Sequence, residues 1–420
     1  MNLKDFIYSQ KIEKTHTVTR ILGIKFKIPN GRWEMKIKRK EKPYDIGILS
    51  FNIHSATYNF GAALHSFAFQ KYLDKLGINN VIVNYYPETV KQNFITAKII
   101  KSIQEKDYSL LKQNLIYGLR VLQKKIKFEK FFKKHCRVTK YRYELDTIAQ
   151  LKSINRYVCE TDITWAKFKI GGYDRVFFCD LPNMKKKDNV AYSVDFGYGS
   201  LTGKNASMLT KYAKNFKYIS VRNILKLDDF KNAISRDDVE VTIDPVFLLP
   251  KEDYEKISIK PKIKEDFVLV YNCADNNLDM REKAAKFAKE KNMKVIEINS
   301  YSRNILDFQD SLPTPIGIEE FLGLFQNCKY LFTNSYHGIC FGLIFQKPLF
   351  IFSRIFESEK LYVLMNLFGL QDRFVNEEDE IEDRDMDYKA IDQRMSKWLD
   401  ISKEFIQKSV VNDFCNKGRE

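Results

Sequence analysis

Short apolar runs alternate with amphipathic stretches along most of this chain, and that alternation constrains the fold more than any other feature. YDIGILSF, residues 44–51, is apolar on both faces. Such a run fits a strand of a parallel sheet covered on both sides. In the stretch that follows, Ala63, Leu64, Phe67, Ala68, Tyr72, Leu73 and Leu76 recur at helical spacing, and Gly77 stands where a helix ends in a left-handed residue. NNVIVNYYP then reads as a second strand. Strand, loop, helix and strand make a βαβ unit, which in a parallel sheet is right-handed.

The pattern continues. ELDTIAQLKSI is expected to be a short helix, and RYVCETDITW a strand and a turn. DNVAYSVDFGYGS and FKYISVRN are expected strands, and the apolar VTIDPVFLL closes the first half. DFVLVYNCAD, MKVIEINS, KYLFTNS and PLFIFSR are strands of a second half, separated by helices at DMREKAAKFAKEKN, IGIEEFLGLFQNCK and HGICFGLIFQKP. Two successive βα-rich halves predict an α/β protein with two Rossmann-like domains facing a cleft. The expected division is a basic leader over residues 1–43, domains over 44–249 and 250–375, and a helical segment over 376–420 that packs back. Residues 88–135 are Lys-rich and amphipathic, with Ile99, Ile100, Ile103, Leu110, Leu111, Leu115, Leu119, Leu122 and Phe128 read as core positions rather than a cofactor site.

Composition narrows the class. A chain of 420 residues with 32 Phe and 23 Tyr buries sizeable cores and is not disordered. The net charge of +16 sits on no recognisable nucleic-acid-binding module, so no nucleic acid is expected. It fits anionic substrates, an anionic membrane surface, or simply a Lys-rich exterior. Of the seven cysteines none has CxxC spacing, and several sit in apolar runs, as Cys340 does in GICFGLIF. This points to a reducing compartment. MNLKDFIYSQKIEK lacks the apolar centre of a signal peptide, and no 18-residue apolar window exists. A cytoplasmic protein is expected. The leader mixes basic and apolar residues and ends in KIKRKEKP, a composition suited to peripheral contact with the inner face of a membrane or to a loose solvated segment.

Ligands of parallel sheets gather beyond the carboxyl ends of the strands, which singles out four loops. In NIHSATYNFGAAL, Asn59 and Gly61 open a helix, where backbone N–H groups hold an anion or the Asn simply caps. His54 lies just past the strand, while His65, inside the helix, reads as structural. In VCETDITW, Glu160 and Asp162 share a face; Asp162 can take a sugar hydroxyl, orient a base or cap a turn. In SVRN, Arg222 offers a planar fork to carboxylate or phosphate, or makes an ordinary salt bridge, and Ser193 of SVDFGYG shapes the same cleft. In FTNSYHGICFG, Asn334, Ser335, His337 and Gly338 cluster where a strand meets a helix, and His337 is a candidate acid or base. No spacing of His or acidic residues suits a metal, and no GxSxG elbow is present.

In their order, these loops resemble the polysaccharide pyruvyltransferase family. GILSFNIHSATYNFGAALHSFAFQKYLDKLGINNVIVNYYP is similar to the family's opening strand, Asn-x-Gly loop and helix. YVCETDITW resembles its Gly-Ser-Asp-x-x-Trp segment, with Glu160 and Thr161 replacing Gly-Ser. AYSVDFG, ISVRN, IDPVFLL and LFTNSYHGICFGLIFQKPLFIF follow in family order, over roughly residues 44–375. The resemblance implies a glycosyltransferase-B-like fold with phosphoenolpyruvate as donor substrate and no further cofactor. It implies ketal formation on two hydroxyls of one sugar of a cell-surface polysaccharide or its precursor, leaving open a lipid-linked acceptor. It carries catalytic roles to Arg222, which would bind the donor's phosphate or carboxylate, to His337 as an acid or base, and to Asp162, and offers Arg354 and Lys360 after the last strand as donor contacts. A nucleotide-sugar glycosyltransferase and a non-catalytic glycan-assembly subunit are the alternative readings.

Overall fold

A computed structural model describes residues 8–12, 16–21, 24–29, 41–51, 54, 58–87, 94–160, 162–168, 172–185, 187–197, 201–273, 277–299, 315–354 and 359–412. The chain falls into two units, residues 1–40 and 41–420. In the first, β1 (Tyr8–Ile12), β2 (His16–Ile21) and β3 (Ile24–Pro29) form an antiparallel sheet with β2 in the middle. The stretch ILGIKFKI, residues 21–28, supplies the last residue of β2 and most of β3; the basic run at 30–40 lies outside the described residues.

The second unit holds two parallel sheets. The first contains β4 (Tyr44–Leu49), β5 (Asn80–Ile82), β6 (Ile154–Glu160), β7 (Asn189–Val194), β8 (Phe216–Val221) and β9 (Val239–Val241), in the order β5-β4-β6-β7-β8-β9. The second contains β10 (Phe267–Asn272), β11 (Lys294–Asn299), β12 (Tyr330–Thr333), β13 (Leu349–Phe352) and β14 (Phe374–Val375), in the order β11-β10-β12-β13-β14. Every pairing in both is parallel. The expected two parallel-sheet α/β halves are both present. Strand order reverses between β4 and β6 in one sheet and between β10 and β12 in the other, the points beyond which open parallel sheets bind ligands.

Helices α1 (Phe60–Lys75), α2 (Phe94–Gln104), α3 (Tyr108–His135), α4 (Gly203–Ala213) and α5 (Leu227–Ile234) accompany the first sheet. With the second come α6 (Lys251–Glu255), α7 (Leu278–Glu290), α8 (Ile318–Asn327), α9 (Tyr336–Ile344) and α10 (Glu359–Phe368), before α11 (Tyr388–Ile406). One apolar core spans both sheets: Phe60 of α1 stacks on Phe321 of α8 with centroids 4.5 Å apart. Lys134 of α3 reaches Glu319 at 2.8 Å, and Lys127 pairs with Glu320. α11 lies against the first sheet, where Ser402 Oγ accepts from the Ile243 amide at 3.0 Å.

Two local expectations change, in ELDTIAQLKSI and on α3. ELDTIAQLKSI forms only a 3₁₀ turn at Ile148–Gln150, and its last residue begins β6. VTIDPVFLL breaks at Asp244, whose carboxylate caps a second turn, Pro245–Leu248, because proline cannot continue the ladder. Leu115, Leu119 and Leu122, expected in the core, are exposed on the outer face of α3, which buries only Phe128, Phe131 and Phe132. The six described cysteines are unpaired; Cys415 lies outside the described residues.

Candidate active site

Five segments bring charged side chains to the carboxyl ends of the strands. β6 ends in Glu160, and Asp162 follows with φ 60° and ψ −176°, a region that side chains other than glycine's enter only under strain of about 1–3 kcal/mol. Its Oδ1 accepts from the Ile163 amide at 2.9 Å, and its carbonyl from the Asp195 amide at 3.1 Å, which fixes the turn against the loop after β7. Arg222 follows β8, Asp244 follows β9, and His337 stands in the first turn of α9 beyond β12.

Arg222 is the hub. Its Nη2 donates to Asp195 at 2.8 Å and its Nη1 to Asp244 at 3.0 Å, while Asp162 stands 4.0 Å away. The Tyr336 ring packs on the guanidinium, 4.5 Å from Cζ to centroid. The guanidinium thus partners two buried carboxylates at once and partly offsets their charge. Burial raises the carboxyls of Asp195 and Asp244, but Lys360 and Arg222 at Asp195, and His337 and Arg222 at Asp244, hold both below the usual range. Burial likewise opposes charge on Asp162, and His65, Arg222 and Lys360 outweigh it.

His65 and His337 meet across the cleft with ring centroids 6.1 Å apart. His337 Nε2 lies 3.5 Å from Asp244. His65 is buried; its Nδ1 donates to Glu160 at 3.0 Å and its Nε2 faces Asp162 at 3.9 Å. Burial disfavours its charge, yet Glu160 and Asp162 push its pKa up to about 10. An unfolded His releases its proton near 6.5, so this pair stabilises the fold fully below pH 6.5 and loses that stability as pH rises toward 10. The depressed aspartates act at the other end, losing their stabilisation as pH falls below about 3.8. The melting temperature is therefore expected to decline from pH 6.5 to pH 10, and less steeply in His65→Asn. Equal slopes in the two proteins would show that the buried pair does not govern the alkaline limb.

A family model described as Polysaccharide pyruvyl transferase matches residues 59–354, the span that carries all of these groups except Lys360. The chain belongs to that family. None of the curated proteins matches it. Among solved structures it is similar to the UDP-GlcNAc 2-epimerase of Methanocaldococcus jannaschii, with 11% identity and TM-score 0.40 over 85% of this chain and 92% of that one. It is similar to the UDP-N-acetylglucosamine 2-epimerase of Rickettsia bellii at 10% identity and TM-score 0.43, over 88% and 99%. The wall teichoic acid polymerase TagF gives 10% identity and TM-score 0.41, over 90% and 89%.

Of the residues singled out from sequence in this pyruvyl transferase family member, His337, Arg222 and Asp162 converge. The others are used differently. Asn59 caps α1, its Oδ1 accepting from the Gly61 amide at 2.8 Å. Gly61 is a glycine because of His337: a Cβ there would stand 2.0 Å from Nδ1 of that ring. Ser193 is not a cleft residue; it is buried in β7, donating to the Thr242 carbonyl at 3.2 Å. Asn334 ties β12 to β10, accepting from the Cys273 amide at 2.7 Å and facing Asn272 at 3.3 Å. Gly338 admits the Thr333 hydroxyl, 2.2 Å from where a Cβ would be. Ser335 precedes α9 without a side-chain cap bond, and Arg354 follows β13, half-buried. His54 turns to Asn84. Thr161 lies outside the described residues.

Sequence reasoning named His65 only as structural and missed Asp195, Asp244, Tyr336 and Lys124. Lys124 comes from α3, its Nζ 4.5 Å from the Phe60 ring centroid and 5.6 Å from that of Phe128. Burial draws its pKa down to about 8, and the nearby Cys273 opposes that shift. A cation thus stands between the start of α1 and the end of β10. Gly61→Ala is expected to displace His337 and lower kcat about a hundredfold, the cost of roughly 1 Å of misplacement, with far-UV circular dichroism unchanged. Wild-type kcat would show that His337 need not sit where it does.

Proposed function

We propose that this chain transfers the pyruvyl group of phosphoenolpyruvate to two hydroxyls of one sugar of a cell-surface polysaccharide or its precursor. The observation that carries the reading, beside family membership, is the pairing of His337 from one half with Arg222 and its three carboxylates from the other. In this reading His337, oriented by Asp244, protonates the donor's methylene, which becomes a methyl group and leaves its neighbour electron-poor. One sugar oxygen attacks that carbon, the carbon–phosphate ester bond breaks, and the second sugar oxygen closes the ketal. The two hydroxyl protons balance those gained by methyl and phosphate.

The charges divide the work. Arg222 is already bound to two carboxylates, so it acts chiefly by positioning them. Asp162 retains 19% side-chain exposure and is held ionised, which makes it a hydrogen-bond acceptor for a sugar hydroxyl and a weak base. The trianionic donor is placed on the basic side chains around these carboxylates rather than on Arg222. Lys124, Lys360 and Arg354 are assigned to its phosphate and carboxylate, with the uncapped start of α9. Calorimetric titration with phosphoenolpyruvate tests this division: Lys124→Ala is expected to weaken binding by about tenfold, in the range of a charge-assisted hydrogen bond. Unchanged affinity would remove Lys124 from the donor site.

A further inference from the structure

We infer that the outer face of α3 docks on an anionic lipid bilayer. Half of the large apolar side chains exposed among the described residues lie on this one helix: Tyr108, Leu115, Ile116, Leu119, Leu122 and Ile126. Leu119 is 63% and Leu122 51% exposed. At 100° per residue these six fall on one side of the helix, opposite Phe128, Phe131 and Phe132, which enter the core. The stripe runs about 27 Å along the axis. Isolated exposed leucines need no explanation, whereas the row of five from Leu115 to Ile126 on one face marks a contact surface.

Charge selects the occupant. Residues 94–135 carry eleven Lys and Arg against three Asp and Glu. Lys112 is exposed within the stripe, between Tyr108 and Leu115, and Lys125, Lys130 and Lys133 are exposed beside or beyond it. A second copy would bring the same positive face to this one, and the two would repel. An anionic bilayer accepts both features: aliphatic side chains enter the headgroup region while lysines reach lipid phosphates. No helix among the described residues is long and apolar enough to cross a membrane, so contact through α3 is peripheral. Lys124 stands on the opposite, cleft side of the same helix, so docking would hold the cleft one helix diameter, roughly 10 Å, from the bilayer surface. The docking itself rests on α3 and is independent of the pyruvyl-transfer reading.

The test is vesicle co-sedimentation of the full chain, with phosphatidylcholine vesicles and with vesicles containing about 30% phosphatidylglycerol. Wild-type protein is expected on the anionic vesicles only, less so as salt rises. The triple variant Leu115→Gln/Leu119→Gln/Leu122→Gln is expected to bind at least about tenfold more weakly, with its melting temperature unchanged because these side chains are exposed. Equal binding of the triple variant would place membrane contact elsewhere, for instance in the basic leader, and overturn the inference. So would absence of wild-type binding. A wild-type dimer that the triple variant dissolves, without vesicle binding, would make this face an interface between copies and overturn it too.

Discussion

Arg222→Met is expected to destabilise the protein by about 3–5 kcal/mol, the usual consequence of leaving buried charges without their partner. The variant keeps most of the aliphatic length and the contact with Tyr336 but strands two carboxylates, Asp195 and Asp244, both almost wholly buried. Arg222→Lys is expected to recover only part of the loss, since one ammonium cannot donate along two directions as the guanidinium does to Asp195 at 2.8 Å and Asp244 at 3.0 Å. Denaturant unfolding of the three proteins measures this. A loss below about 1 kcal/mol in Arg222→Met would mean that the guanidinium is not the hub of the network, since that is the scale of an exposed pair.

The second large effect falls on turnover. His337→Ala is expected to lower kcat by about 10²–10⁴, the range for a lost general acid or base. The KM for phosphoenolpyruvate should change little, because the donor's charges are assigned to Lys124, Lys360 and Arg354. A variant that binds the donor poorly but turns over normally at saturation would give His337 a binding role instead. Folding should survive the substitution, because truncating the ring leaves Asp244 still bonded to Arg222 at 3.0 Å.

The architecture was legible because buried parallel strands read as apolar runs: YDIGIL, NVAYSV, FKYISV and FVLVYN all became strands. The hub was half legible. Arg222 and Asp162 stand just past strand ends, and so do Asp195 after β7 and Asp244 near β9; the same strand-end rule applied to SVDFG and TIDP finds them. Which of these side chains meet depends on strand order, and no short-range pattern encodes that β7, β8 and β9 are neighbours. His65 was hidden for a related reason. It sits between Leu64 and Ser66 in a helix buried almost all round, and its partner Glu160 is 95 residues away. On α3 the error ran the other way: leucines at helical spacing define a face, and spacing does not say whether protein, water or lipid covers it.

The most direct test of pyruvyl transfer is phosphate release from phosphoenolpyruvate by the purified protein, measured across free and lipid-linked galactose-, glucose- and mannosamine-type acceptors. Release that depends on an acceptor, and is lost in His337→Ala, is the predicted result. Release of a nucleotide from a nucleotide-sugar on the same acceptors, with phosphoenolpyruvate left intact, would contradict it.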